Sequence, residues 1–173
     1  RVALYAKRLA EKMEIASDEC ERIYVAGLLH DVGKIGVPDH ILQKPGKLTP
    51  EEFNEIRKHP DIGYTILKGL DRINYVLPGV LHHHERLDGL GYPDGLVGED
   101  IPLMARILAV VDAWDAMTSA RPYRDGMPTA RAESIIQFGR GSQWDSTIVD
   151  AFLQITHELP DIAARASKAS LDI

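Results

Sequence analysis

The sequence predicts an all-α domain, on three observations. Apolar residues recur at three- and four-residue spacing through most of the 173-residue chain. Helix-start signals punctuate those stretches at Thr49-Pro50-Glu51-Glu52, Pro78 and Pro102. No run alternates apolar and polar residues convincingly enough for a half-buried strand. The expected architecture is a bundle of about six to eight helices.

Taken in order, Val2, Ala6, Leu9 and Met13 place a first helix at the very start, reaching about Glu14. Ser17 and Asp18 open the second, with Asp18 and Glu21 spaced like a capping box, and Ile23, Gly27 and His30 on its core-directed face. Gly33 ends that helix, and Lys44-Pro45-Gly46-Lys47 reads as a turn. Thr49 as N-cap, Pro50 at N1 and Glu52 at N3 start the next, with Phe53 and Ile56 on its buried side and Pro60 stopping or bending it just after His59. A short helix over 61–70 packs through Ile62, Ile66 and Leu67. Pro78 opens another, on which Leu77, Val80, Leu81 and His84 share one face and Val76, Val80 and His83 a neighbouring one. Residues 86–98 hold Gly89, Gly91, Gly95 and Gly98 with Pro93 and no helical period, so they form a structured loop. Pro102 opens the longest apolar helix, running through Met104, Ile107, Leu108 and Val111 to about Ser119. Two more helices follow, near Thr129–Phe138 and Ser146–Thr156, and the small, polar tail from Pro160 to Ile173 is expected to fray.

One domain over 1–173 suits this length. The net charge of −6 argues against a DNA-backbone binder. No apolar run approaches membrane-spanning length and there is no secretory leader, so neither membrane contact nor export is expected of this segment. The single cysteine, Cys20, reads as a small helix-face residue and suits a reducing cytoplasm. A helical pattern that begins at Arg1 without an initiator Met reads as a piece of a longer protein.

Four places offer metal-ligating side chains at inner helix ends or faces: His30 with Asp31, His59, His83 with His84, and Asp112. A mixed imidazole and carboxylate set suits iron, manganese or zinc, and a bridging carboxylate, for which Asp31 is the candidate, lets two ions sit close together. Two such ions activate water near neutral pH and clamp phosphate oxygens, which is equipment for phosphoester hydrolysis. Lys34, one helical turn from His30, and Arg121 and Arg124 supply positive charge for a phosphorylated ligand. Asp112 and Asp115 each follow an apolar residue by four, so both carboxylates point inward and need a cation or strong donors; for Asp115, capping or pairing with Arg121 would suffice. His59 before a proline reads equally as a helix-terminal surface residue, and the run His82-His83-His84 as an accidental cluster. His40, His82 and His157 read as surface residues. For all of these positions to be accidental, many independent coincidences would have to fall together, and that favours the ligand reading.

These residues lie in segments that resemble the HD-GYP family, a branch of the HD phosphohydrolases. The matching stretches are Leu28 to Pro38, Lys44 to Thr49, Lys58 to Gly63, His83-His84-Glu85, Asp88 to Pro93, and Asp112 to Ser119 running into Arg121-Pro122-Tyr123-Arg124. The resemblance implies an HD-type helical bundle with a Gly-rich loop at Gly91-Tyr92-Pro93, and a bimetallic or trimetallic site. Iron or manganese leads there, with zinc, nickel, magnesium and cobalt as alternatives. It implies His30, Asp31, His59, His83, His84 and Asp112 as metal ligands, and Lys34 beside the metals and the scissile phosphate. Asp115, Arg121 and Arg124 would contact the dinucleotide, and Gly91, Tyr92 and Pro93 would border the site. It also implies hydrolysis of cyclic di-GMP to pGpG or GMP, some members accepting cyclic GMP-AMP, with a sensor or receiver domain upstream; a homodimer is kept open. The family's first helix carries a Glu and a His ahead of the segment matching Arg1-Val2, where this chain has not yet begun. Two other classes remain: a catalytically silent module that binds nucleotide or docks a partner through the loop, and a di-iron oxygen or electron carrier, which leaves Lys34, Arg121 and Arg124 unused.

Overall fold

The structure is a computed structural model that describes residues 1–120 and 125–169. The described residues are helical, joined by 3-10 turns and loops, and pair as strands only at the isolated bridges Asp88–Val97 and Arg140–Trp144. Helix α1 (Val2–Lys12) packs along α2 (Ser17–Leu29), at a spacing set by Gly27, where a Cβ would stand 2.7 Å from the Cα of Ala3. The chain then passes through a 3-10 turn, Val32–Gly36, to α3 (Asp39–Leu42), α4 (Pro50–Ile56), α5 (His59–Leu67) and α6 (Leu77–His82). After the loop come α7 (Leu103–Thr118), α8 (Thr129–Phe138), α9 (Ser146–Leu153) and α10 (Leu159–Ala169).

Helix α7 is the axis of the core. Met104, Ala105, Ile107, Leu108, Val110, Val111 and Trp114 are all buried, so apolar residues cover more of its circumference than one stripe, as a helix enclosed by neighbours requires. Trp114 meets Phe152 of α9 edge to face, 5.4 Å between centroids. Asp145 caps α9 through the N–H groups of Thr147 and Ile148 and pairs with Arg106 of α7 at 2.6 Å, tying the two helices together. Among the described residues, no helix is long and apolar enough to cross a membrane.

Several local expectations change. Helix α2 starts at Ser17 with Ala16 as N-cap, so Asp18 and Glu21 lie inside the helix and form no capping box. The box at Thr49 and Glu52 does form. Phe53 nevertheless remains 46% exposed, because the seven-residue α4 lies on the surface and buries none of its residues. Pro60 does not end a helix; it sits in the first turn of α5, where a missing N–H costs nothing. Helix α2 stops at Leu29 with His30 as C-cap, and Gly33 lies beyond it in the 3-10 turn for another reason: a Cβ there would fall 1.9 Å from the carbonyl oxygen of His59. Ile66 faces outward, leaving Leu67 as the residue of α5 in the core. From Leu159, which is buried, the chain continues as α10 to Ala169, with Ile162 against the core.

Candidate metal centre

Three histidines share one device. His30, His59 and His83 each point Nδ1 at the carbonyl oxygen three residues earlier, of Gly27, Ile56 and Val80, at 2.8, 2.7 and 2.9 Å. A carbonyl only accepts, so Nδ1 carries a proton in each ring and Nε2 is turned toward the shared interior, where it ligates once it carries none. Each of the three stands at a helix terminus, His59 on the first residue of α5 and His30 and His83 at the ends of α2 and α6. His84 joins them, its ring 4.1 Å from His83 and 5.0 Å from His59.

Asp31 stands at the centre. Its Oδ1 lies 3.2 Å from Nε2 of His59 and 4.0 Å from Nε2 of His83, while Oδ2 lies 3.3 Å from Nε2 of His30 and 2.5 Å from Nζ of Lys34. Asp112, from the inner face of α7, closes the His30 side at 3.6 Å. Ligand atoms of Asp31, His59, His83 and His84 all fall within 4.8 Å of one another.

Two features show that this donor set suits cations. Nε2 of His30 is buried with no hydrogen-bond partner, and Nε2 of His59 and His83 face each other at 3.2 Å, an arrangement of lone pairs that calls for positive charge between them. The electrostatics agree. Burial opposes charge on His30, but Asp112 and Asp31 more than offset it and push its pKa up to about 10. Burial likewise works against the charged form of Asp31, yet His30, His59 and Lys34 hold it well below the usual carboxylate range, and His30 does the same for Asp112. Burial pushes His83 well down and His84 down to about 4, keeping both neutral and ready to ligate.

The loop over residues 86–97 is seated on this centre by Glu85. Its buried carboxylate accepts from the backbone N–H groups of Asp94, Gly95 and Leu96 at 2.7, 3.1 and 3.1 Å. The N–H of Tyr92 donates to the carbonyl of His84 at 3.2 Å, and the Tyr92 ring stacks on His84 at 4.9 Å. Gly91 is required by close approach, since a Cβ would stand 2.4 Å from the backbone nitrogen of Arg86. Pro93 follows in the same loop. His82, read as a surface residue, is only 14% exposed at its side chain, because the loop folds back over it and brings Asp94 to 3.7 Å. His40 and His157 are exposed as expected.

Cavities open on both sides of the cluster. One, of about 370 Å³, is lined by Lys34, Asp31, His30, Asp112, Asp115 and Arg1; the other, of about 490 Å³, by His83, His84, Asp112, Tyr92, Arg57 and Phe53 among others. Asp115 is held by Arg1 through two bonds of 2.6 and 3.0 Å and by Ser119 at 3.1 Å. Arg121 and Arg124, and with them the suggested Asp115–Arg121 pair, lie outside the described residues. Sequence reasoning passed over Arg57, Arg1 and the anchoring role of Glu85. Arg57 had a signal, its place two residues before His59; Arg1 pairs with a residue 114 positions away and had none.

Against known families, residues 1–148 match the HD domain. The chain belongs to the HD domain family. Members of this family depend on metal, and the His/Asp cluster here is able to bind it. This HD domain is 44% identical over 173 residues to the cyclic di-GMP phosphodiesterase response regulator RpfG of Xanthomonas campestris, covering 98% of this chain and 46% of that protein. It is 42% identical over 167 residues to a cyclic di-GMP phosphodiesterase of Thermotoga maritima, covering 95% and 45%. Among solved structures, the HDG"Y"P protein Bd1817 of Bdellovibrio bacteriovorus superposes with a TM-score of 0.73 at 22% identity, over 89% of this chain and 49% of that one, a likeness of fold. The HD domain spans less than half the length of these curated relatives. The resemblance first drawn from the motifs is borne out.

Proposed function

We propose that this HD domain is a metal-dependent phosphodiesterase that opens cyclic di-GMP to pGpG, or on to GMP, in bacterial second-messenger signalling. The observation that carries the reading is Asp31, whose two oxygens divide the imidazoles between them, His59 and His83 on one side and His30 on the other, with Lys34 at the edge. The names of the relatives supply the substrate.

His30, Asp31, His59, His83, His84 and Asp112 would hold two or three divalent ions, iron or manganese in first place and zinc, nickel, magnesium or cobalt as alternatives. Such ions supply Lewis acidity, making water a nucleophile at neutral pH and neutralising charge on the phosphate. The protein's own groups do the rest. Asp31 is a catalytic residue by position, kept ionised by the cations around it so that it can serve both halves of the cluster. Lys34 reaches the cavity beside Asp31 and directs an ammonium at a phosphate oxygen, where charge builds during displacement. Asp115, positioned by Arg1, faces the same cavity and accepts hydrogen bonds from the dinucleotide, while Arg121 and Arg124 bind its phosphates. Gly91 and Tyr92 line the cavity on the opposite side, with Pro93 next in the loop and Tyr92 fixing the His84 ring. In the cell the domain works in the cytoplasm, under an upstream sensor or receiver domain.

A second reading has one observation in its favour: Leu90, beside Gly91, is 75% exposed on the loop, as a docking contact of a silent module would be. One experiment separates the two. Purified protein loaded anaerobically with ferrous or manganous ion is incubated with cyclic di-GMP and the products are followed by mass spectrometry. Appearance of pGpG or GMP is expected, and Asp31→Asn abolishes it. Intact substrate with both metals, together with calorimetric binding, would hand the case to the silent module.

A further inference from the structure

The reaction as described leaves the far wall of the larger cavity without a task. Arg57 lies just past the end of α4, and its guanidinium sits over the ring of Tyr92, 4.7 Å from the centroid. Tyr92 in turn stacks on His84 at 4.9 Å with the rings 24° from parallel. Arg57, Tyr92 and His84 line one cavity together with His83 and Asp112, so the guanidinium and the cluster face the same space. Among the described residues no carboxylate pairs with Arg57. Around it Phe53 and Leu90 present exposed apolar side chains to the cavity.

The wall therefore offers exposed apolar side chains and an uncompensated cation with a rigid N–H fork, in the cavity that His83, His84 and Asp112 also line. A guanidinium held over an aromatic ring keeps its donors in plane at the ring's edge, which lowers the entropy lost on binding a planar partner. Guanine presents two acceptors side by side, O6 and N7. Adenine presents N7 beside the donor N6, so the same fork meets one acceptor and one opposing donor.

Building on the phosphodiesterase reading, we propose that the cavity between Phe53 and Tyr92 is a nucleobase subsite in which Arg57 recognises guanine through O6 and N7, so that Arg57 sets the preference for guanine over adenine in the cyclic dinucleotide. Phe53 and Leu90 provide apolar surface that either purine can use, while Tyr92 holds the guanidinium. Arg57 provides the discrimination.

The test compares metal-loaded wild type, Arg57→Met and Arg57→Lys on cyclic di-GMP and cyclic di-AMP, with calorimetric titration of 5′-GMP and 5′-AMP as a readout independent of turnover. Arg57→Met should reduce the ratio of kcat/KM for cyclic di-GMP over cyclic di-AMP about tenfold, with the larger part of the loss in KM. Arg57→Lys keeps the charge without the fork, so it should recover affinity for both dinucleotides and leave the ratio reduced. Equal losses on both dinucleotides would mean that Arg57 contacts phosphate, and would overturn the assignment, as would an unchanged ratio in Arg57→Met or a full recovery of it in Arg57→Lys. If wild type turns over neither dinucleotide, the phosphodiesterase reading fails. The subsite is then upheld by tighter binding of GMP than AMP that Arg57→Met erases, and overturned by equal binding of the two in wild type.

Discussion

Gly33→Ala tests how the cluster is assembled, because the space for a Cβ can be read atom by atom. That carbon would lie 1.9 Å from the carbonyl oxygen of His59 and 2.5 Å from the backbone nitrogen of Gly63. Both are main-chain atoms of α5, so no side-chain rotation relieves the clash, and the turn and the helix must separate by about 1 Å. His59 sits on the first residue of that helix, 3.2 Å from Asp31, and metal–ligand distances tolerate only about 0.2 Å. Overpacking costs about 1–3 kcal/mol in general; with backbone on the receiving side the upper end applies, about 3 kcal/mol. For a domain of this size that lowers Tm by about 6–12 °C. Thermal unfolding with a chelator present reads the fold alone, and manganese titration reads the cluster, whose affinity should fall about tenfold or more. Gly69→Ala is the control, since nothing lies within 4 Å of its Cβ position. A Gly33→Ala protein that melts within a degree of wild type while Gly69→Ala behaves normally would refute the claim that this contact sets the position of His59.

Three further outcomes follow from the same geometry. His30 is raised to about 10, above the usual imidazole value, so the metal-free protein still holds that proton at pH 8; an imidazole must lose it to ligate, so metal binding there releases protons and strengthens as pH rises toward 10. Calorimetric titrations of metal in buffers of different ionisation enthalpy should give different heats, and identical heats would contradict the assignment. Adding manganese to chelator-treated protein at one hundred times its dissociation constant should stabilise the fold by about 2.7 kcal/mol in denaturant titrations, and no shift would mean that the folded state does not bind the metal selectively. Thr49→Ala removes the side-chain half of an exposed capping box, the bond from the Glu52 N–H to Thr49 Oγ1, and should cost about 1 kcal/mol in urea unfolding without changing metal affinity, because α4 buries none of its residues.

The sequence by itself determined the helical class, the longest core helix, the Thr49 cap and the limits of α8, because these depend on local periodicity and on residues whose backbone preferences act within a turn. It also singled out the six imidazole and carboxylate side chains proposed as ligands, since polar groups at the inner ends of apolar helices need a reason to be there. Tertiary structure alone decided why Gly33 is glycine, a matter of how closely α5 approaches. It decided that Pro60 opens a helix, that Phe53 stays outside, and that His82 is covered by the loop anchored on Glu85. It also set Arg1 on Asp115 and Arg57 on Tyr92. Each of these depends on where one segment lies against another far from it in the chain, a relation that packing creates and that no local spacing of residues encodes.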